Sequence, residues 1–163
     1  LGGYLAAGFA LNHPEYVNDI TLIGMREKYD ANGLEKIKSY IKNNKKAYLY
    51  KFYNECFSAE TEENRYLSLF KRGLMRDYLE KANVDELLEG LDYLGRAKLD
   101  PAGLENAKIK FIHGEHDKIA PVRGIDGLKK VFQSAEFIIM KGAGHMPFLR
   151  SDFKDIFYGK YDR

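Results

Sequence analysis

The sequence predicts an α/β protein, a parallel sheet flanked by helices with a helical insert, and three observations carry that prediction. Short apolar, partly β-branched runs ending in glycine occur at residues 19–24, 107–114 and 135–142. Helical stretches separate them, as parallel strands require crossover connections. One long segment, residues 30–94, keeps helical periodicity and contains no convincing strand.

Taken in order, residues 1–13 read as a helix whose glycines and alanines let it lie close to neighbouring backbone. It ends at His13–Pro14, because a proline pushes the preceding residue out of the helical region. DITLIG, residues 19–24, is a buried strand. In the insert, apolar residues recur at helical spacing, among them Leu34, Ile37, Tyr40 and Ile41, then Tyr48, Leu49, Phe52 and Tyr53. The pattern resumes at Tyr66, Leu67, Phe70 and Leu74, and again at Val84, Leu87, Leu88 and Leu91. This predicts three or four amphipathic helices, rich in tyrosine and suited to covering an apolar cleft. AKIKFIHG (107–114) and AEFIIMKG (135–142) are strands. A helix over 122–132, opened by Pro121, lies between them, and a last helix runs from Asp152 to Tyr158. The organisation is core at 1–29, helical insert at 30–94 and core again at 95–163.

Composition narrows the function classes. The chain has 163 residues, 45% of them hydrophobic and 31% charged, which is a globular balance with room for a core. A formal charge of +2 calls for no nucleic-acid partner. No apolar run approaches the roughly 18 residues of a membrane span, so no membrane is expected. The opening LGGYLAAGFALNHPEYV lacks a basic region and is not read as a signal peptide. The single cysteine, Cys56, makes no internal disulfide and reads as a small apolar filler. This suits a reducing, cytoplasmic location.

Function gathers at the carboxyl ends of parallel strands. Two loops stand there: HGEHDKIAP (113–121) and KGAGHMPF (141–148). They place Asp117 and His145 on successive strand ends. A carboxylate beside an imidazole fixes its tautomer and stabilises the imidazolium, so the pair suits general-base chemistry. Either residue alone reads as an ordinary loop residue; it is the pairing that points to chemistry. His113 and His116 flank Asp117 without a third ligand at metal spacing, so neither a metal nor any cofactor is expected. His116 reads as a loop-shaping residue and His13 as a helix-end residue facing the last carbonyls.

These segments resemble the α/β-hydrolase superfamily. The match covers roughly residues 1–25 and 105–158. Gly114-Glu115-His116-Asp117-Lys118-Ile119-Ala120-Pro121 resembles the family's acid loop, and Gly142-Ala143-Gly144-His145-Met146-Pro147 its histidine loop. Leu1-Gly2-Gly3-Tyr4 resembles the stretch that follows the nucleophile in the strand-to-helix elbow. The resemblance implies a partial α/β-hydrolase fold with residues 30–94 as its cap. It also implies a nucleophilic serine immediately before Leu1, in an N-terminal part of the same protein. Asp117 and His145 are then the acid and the base, and the Leu1 backbone N–H is one oxyanion donor. Ser39, Ser58, Ser68, Ser134 and Ser151 fit no elbow and read as surface or cap residues. Met25 is placed at the pocket mouth; Phe148 either joins it or packs.

The implied reaction is hydrolysis of a small-molecule acyl ester or thioester. Tyr93-Leu94, Leu99-Asp100 and the loop through His145, Pro147 and Phe148 further resemble the esterases that release pimeloyl-carrier protein from its methyl ester in biotin synthesis. Lys42, Lys45, Lys46, Arg72 and Arg76 belong to a basic set in the insert. They are either solvated helix faces or a docking surface for an acidic acyl carrier protein. The alternatives are a carbon–carbon bond hydrolase, a haloalkane or epoxide hydrolase with a carboxylate nucleophile, and a binding protein of the same fold without catalysis.

Overall fold

In the computed structural model, which describes residues 1–59, 61–101, 104 and 107–158, three strands form one parallel sheet. They are β1 (Asp19–Ile23), β2 (Lys108–Gly114) and β3 (Glu136–Met140), adjacent in that order. The register sets Leu22 beside Phe111 and Phe111 beside Phe137. Helix α1 (Gly2–Asn12) precedes β1. Four helices lie between β1 and β2: α2 (Ala31–Glu55), α3 (Thr61–Gly73), α4 (Met75–Lys81) and α5 (Val84–Arg96). Helix α6 (Ile125–Val131) joins β2 to β3, and α7 (Phe153–Phe157) closes the described chain. A 3-10 turn at Val122–Gly124 takes the first part of the helix that the sequence predicts after Pro121. Residues 159–163, within the second core stretch, lie outside the described residues.

Alternation along the strands divides the core between the two faces of the sheet. On one face Ile20, Leu22 and Phe111 pack with Tyr4, Ala7 and Ala10 of α1 and with Leu128 of α6. On the other, Ile112 and Met140 pack with Ile23, Ile138 and the α7 residues Phe153, Ile156 and Phe157. The small residues of α1 have a concrete purpose: a side chain at Gly3 would collide with the thioether of Met25. Phe111 stacks on Phe137 with ring centroids 4.8 Å apart.

The insert is held by caps and cross-links. Asp30 accepts from Gly33 N at 2.6 Å at the start of α2, and Asn83 accepts from Asp85 N at 2.8 Å at the start of α5. α2 breaks at Asn44 (φ −153°, ψ 84°), whose side chain accepts from Ala47 N at 3.0 Å and so restarts the helix. Lys38 bridges α2 to Asp92 of α5, and Lys45 donates to the Ala82 carbonyl at 2.6 Å, at the end of α4. Tyr53, Phe70 and Tyr78 pack edge to edge or tilted at 5.4–5.8 Å and form the aromatic centre of the insert. Among the described residues no helix is long and apolar enough to cross a membrane.

Candidate active site

The acid loop leaves β2 at Gly114 and turns at once, with Asp117 N donating to Gly114 O at 3.2 Å. The histidine loop leaves β3 and folds back beside it, with His116 N donating to Ala143 O at 2.8 Å. This crossing needs a glycine, because a side chain on Gly114 would run into the Ala143 and Gly144 backbone. The two loops thereby bring His145 Nδ1 to 2.8 Å from Asp117 Oδ2.

The Asp117 side chain is 0% exposed, and its charge is met on both oxygens. Oδ1 accepts from Ile119 N at 2.8 Å and Ala120 N at 2.7 Å; Oδ2 faces the imidazole. A buried carboxylate needs such satisfaction to stay ionised. Because Nδ1 is the nitrogen turned to the carboxylate, it carries the proton in the neutral ring and Nε2 presents the basic lone pair. The His145 side chain is 25% exposed, half in and half out of the fold.

Gly24, at the end of β1, forms the floor under this pair. Its φ is +59°, and a Cβ there would lie 2.8 Å from both Cε1 and Nδ1 of His145. Beside the pair, His113 is 1% exposed, with Nε2 2.6 Å from Met25 O. Burial holds its pKa below the ordinary histidine value, outweighing the bond to Met25 and the nearby Asp117. The neutral form of His113 is therefore favoured. Burial likewise pushes the Cys56 thiol up to about 12, which keeps it protonated. Among the described residues no group of three or more His, Cys, Asp or Glu is arranged to hold a metal ion.

No known family profile and no curated protein matches the sequence. Solved structures do. The α/β hydrolase MGS-M2 from a Medee basin deep-sea metagenome library aligns with a TM-score of 0.78 at 17% identity, over 99% of this chain and 62% of its own. An esterase from Exiguobacterium antarcticum aligns at 0.73 and 17%, over 98% of this chain and 61% of its own. The 2-hydroxy-6-oxo-6-phenylhexa-2,4-dienoate hydrolase of Rhodococcus sp. strain RHA1 aligns at 0.68 and 15%, over 100% and 61%. This chain has part of the α/β-hydrolase fold. It spans about three fifths of the length of these structures, and at such identities the likeness concerns the fold alone.

Within this α/β-hydrolase fold the other residues singled out by the sequence are dispersed. Leu1 caps α1 and is 50% exposed. Met25 is 4% exposed and packed into the core against Gly3, so its carbonyl, through His113, is closer to the site's workings than its side chain is. Phe148 stands 49% exposed on the 3-10 turn Pro147–Leu149 and meets Phe153 edge-on at 6.5 Å. Lys42, Lys46, Arg72 and Arg76 are exposed on α2, α3 and α4, while Lys45 is partly buried by its bond to Ala82. His116 is half-exposed, 3.9 Å from Glu115, and His13 packs its ring on Phe9 at 4.8 Å.

Sequence reasoning did not find Gly24 beneath the imidazole, nor Glu63, whose carboxylate accepts from Gly144 N beside His145. Gly24 carried a signal, a glycine at a strand's carboxyl end; Glu63 looks like any acid in a first helical turn.

Proposed function

We propose that this chain supplies the acid, Asp117, and the base, His145, of a serine carboxylic-ester hydrolase acting on an acyl ester or thioester. The observation that carries the reading is the 2.8 Å bond between His145 Nδ1 and a fully buried carboxylate on adjacent strand ends. With Nδ1–H held by Asp117, Nε2 takes the hydroxyl proton of the nucleophile as its oxygen attacks the carbonyl carbon. The imidazolium then returns that proton to the departing alcohol, and water enters by the same route to release the acid. The nucleophile is a serine at the position before Leu1, whose backbone N–H donates to the oxyanion. Residues 30–94 form the cap over the acyl group, with Phe148 at its rim. The exposed cations Lys42, Lys46, Arg72 and Arg76, with Lys45, favour an acidic acyl carrier as the substrate's bearer. On this reading the methyl ester of pimeloyl-carrier protein is the first carrier substrate to assay.

The test is hydrolysis of p-nitrophenyl esters by the full protein, with a fluorophosphonate probe to locate the nucleophile by mass. Asp117→Asn is expected to lower kcat by about 10⁴, as loss of the orienting acid does in serine hydrolases generally. Retention of wild-type turnover in Asp117→Asn ends the proposal. Sequencing that finds an aspartate in place of serine before Leu1 moves the chemistry to haloalkane or epoxide hydrolysis. Carbon–carbon hydrolysis, the activity named for the Rhodococcus structure, uses the same pair and is distinguished by cleavage of a vinylogous diketone. Comparing a free methyl ester with its carrier-bound form tests the docking surface.

A further inference from the structure

The catalytic loop is not held by the sheet alone. Glu63, in the first turn of α3, is 0% exposed, yet it is a carboxylate in the insert. Its two oxygens lie 2.9 Å and 3.1 Å from Gly144 N, and Oε2 also accepts from Ser58 N at 2.7 Å. Gly144 immediately precedes His145, whose own N–H donates to Cys56 O at 2.8 Å. The neighbouring Glu62 accepts from Ser151 N at 2.9 Å, and Ser151 Oγ lies 3.4 Å from its other oxygen. Cys56, Glu62 and Glu63 thus hold the backbone on both sides of His145. Arg150 faces this pair of acids: its guanidinium pKa is raised first by Asp152 and further by Glu62 and Glu63.

The contact is too close to be incidental. A Cβ on Gly144 would lie 2.6 Å from Ser58 N, 2.7 Å from Glu63 Oε2 and 2.8 Å from Cys56 O. A fully buried carboxylate costs several kcal/mol in desolvation unless strong acceptor bonds meet it. An apolar residue would fill the space more cheaply, so the carboxylate is explained by the backbone donors it secures. Removing it would leave Gly144 N–H and Ser58 N–H buried without their acceptor.

We infer that Glu63, assisted by Glu62, is a positioning residue: a clasp through which the insert fixes the loop bearing His145, so that cap placement and histidine geometry are coupled. The inference rests on the reading of His145 as the base, but the clasp has a readout of its own. In the full protein, amide hydrogen exchange at Gly144 and His145 and the kinetics of p-nitrophenyl ester hydrolysis are measured for Glu63→Ala and Glu63→Gln. Glu63→Ala is expected to speed exchange at both amides by at least about tenfold and to lower kcat by at least about tenfold while KM changes less than about threefold, since lost backbone acceptors misplace the base rather than the substrate. Glu63→Gln keeps one acceptor oxygen and is expected to recover part of both effects. If Glu63→Ala does not fold, Glu63→Gln decides: its amide NH₂ faces one of the two donors, and faster exchange at Gly144 or Ser58 is expected. Wild-type exchange at Ser58, Gly144 and His145 together in a folded Glu63 variant overturns the clasp. A wild-type protein that hydrolyses no ester overturns the proposed function instead, and the exchange data still decide the clasp.

Discussion

At the scale of single residues, the site depends on what surrounds the pair as much as on the pair. Gly24 holds a left-handed backbone at φ +59° and leaves the space that the His145 ring occupies. His113 contributes neutrality: buried, it donates from Nε2 to Met25 O at 2.6 Å and resists protonation. Its lowered pKa has a consequence for stability. The unfolded chain binds a proton at this histidine at a higher pH than the native chain does, so stability rises with pH in that range. The contribution is complete above the ordinary histidine pKa of about 6.5 and is lost as pH falls from there toward the lower native value. NMR titration is expected to give His113 a midpoint below the free value, and calorimetry a Tm that falls across the same window. A midpoint at or above the free value contradicts the structure's account of this residue.

At the scale of elements, asparagines at breaks shape the insert. Asn44 breaks α2 and caps its second half by accepting from Ala47 N, and Asn83 opens α5 by accepting from Asp85 N at 2.8 Å and Glu86 N at 3.4 Å. Asn83 is exposed, so its replacement removes a cap and little else. Asn83→Ala is expected to cost about 1 kcal/mol, read as a lower urea midpoint at unchanged m. An unchanged midpoint would mean that α5 is held by its packing on α2 alone. The expectation of three or four helices over 30–94 resolves as four. Their periodicity was legible because apolar side chains recur at helical spacing, buried at Leu34, Ile41 and Leu49 of α2 and partly buried along α5. The kink at Asn44 was not, because a polar residue in a lysine-rich stretch looks like ordinary helix surface.

At the scale of the whole molecule, β1 pairs with β2 on one side and has no strand on its other side among the described residues. On α1, which packs on β1, and at its N-cap, Leu1, Leu5 and Phe9 recur every fourth residue and are 50%, 52% and 53% exposed. An unpaired strand edge beside an apolar helix face is a surface that pairs with another strand, from elsewhere in the protein or from another copy. Residues 1–163 expressed alone are therefore expected to self-associate at micromolar concentration in sedimentation velocity. Leu5→Lys with Phe9→Lys is expected to reduce that association. A monodisperse monomer at all concentrations would show that this face is stable in water as it stands.

Strand and helix alternation and the two loops at strand ends were legible in the sequence alone, because hydrophobic period and glycine punctuation are local properties, and Asp117 and His145 stood out in those loops as candidates. The partial α/β-hydrolase architecture was implied by the resemblance of the two loops to that superfamily's acid and histidine loops. Only the tertiary structure decided that Met25 faces the core and that the Gly24 backbone underlies the imidazole. It also decided that Glu63, eighty-one residues before Gly144, bonds the histidine loop from the insert. Those facts depend on which surfaces meet after long stretches of chain close. Burial and hydrogen-bond partners arise only from that meeting, and a carboxylate destined for a buried backbone donor is spelled the same way as one destined for water.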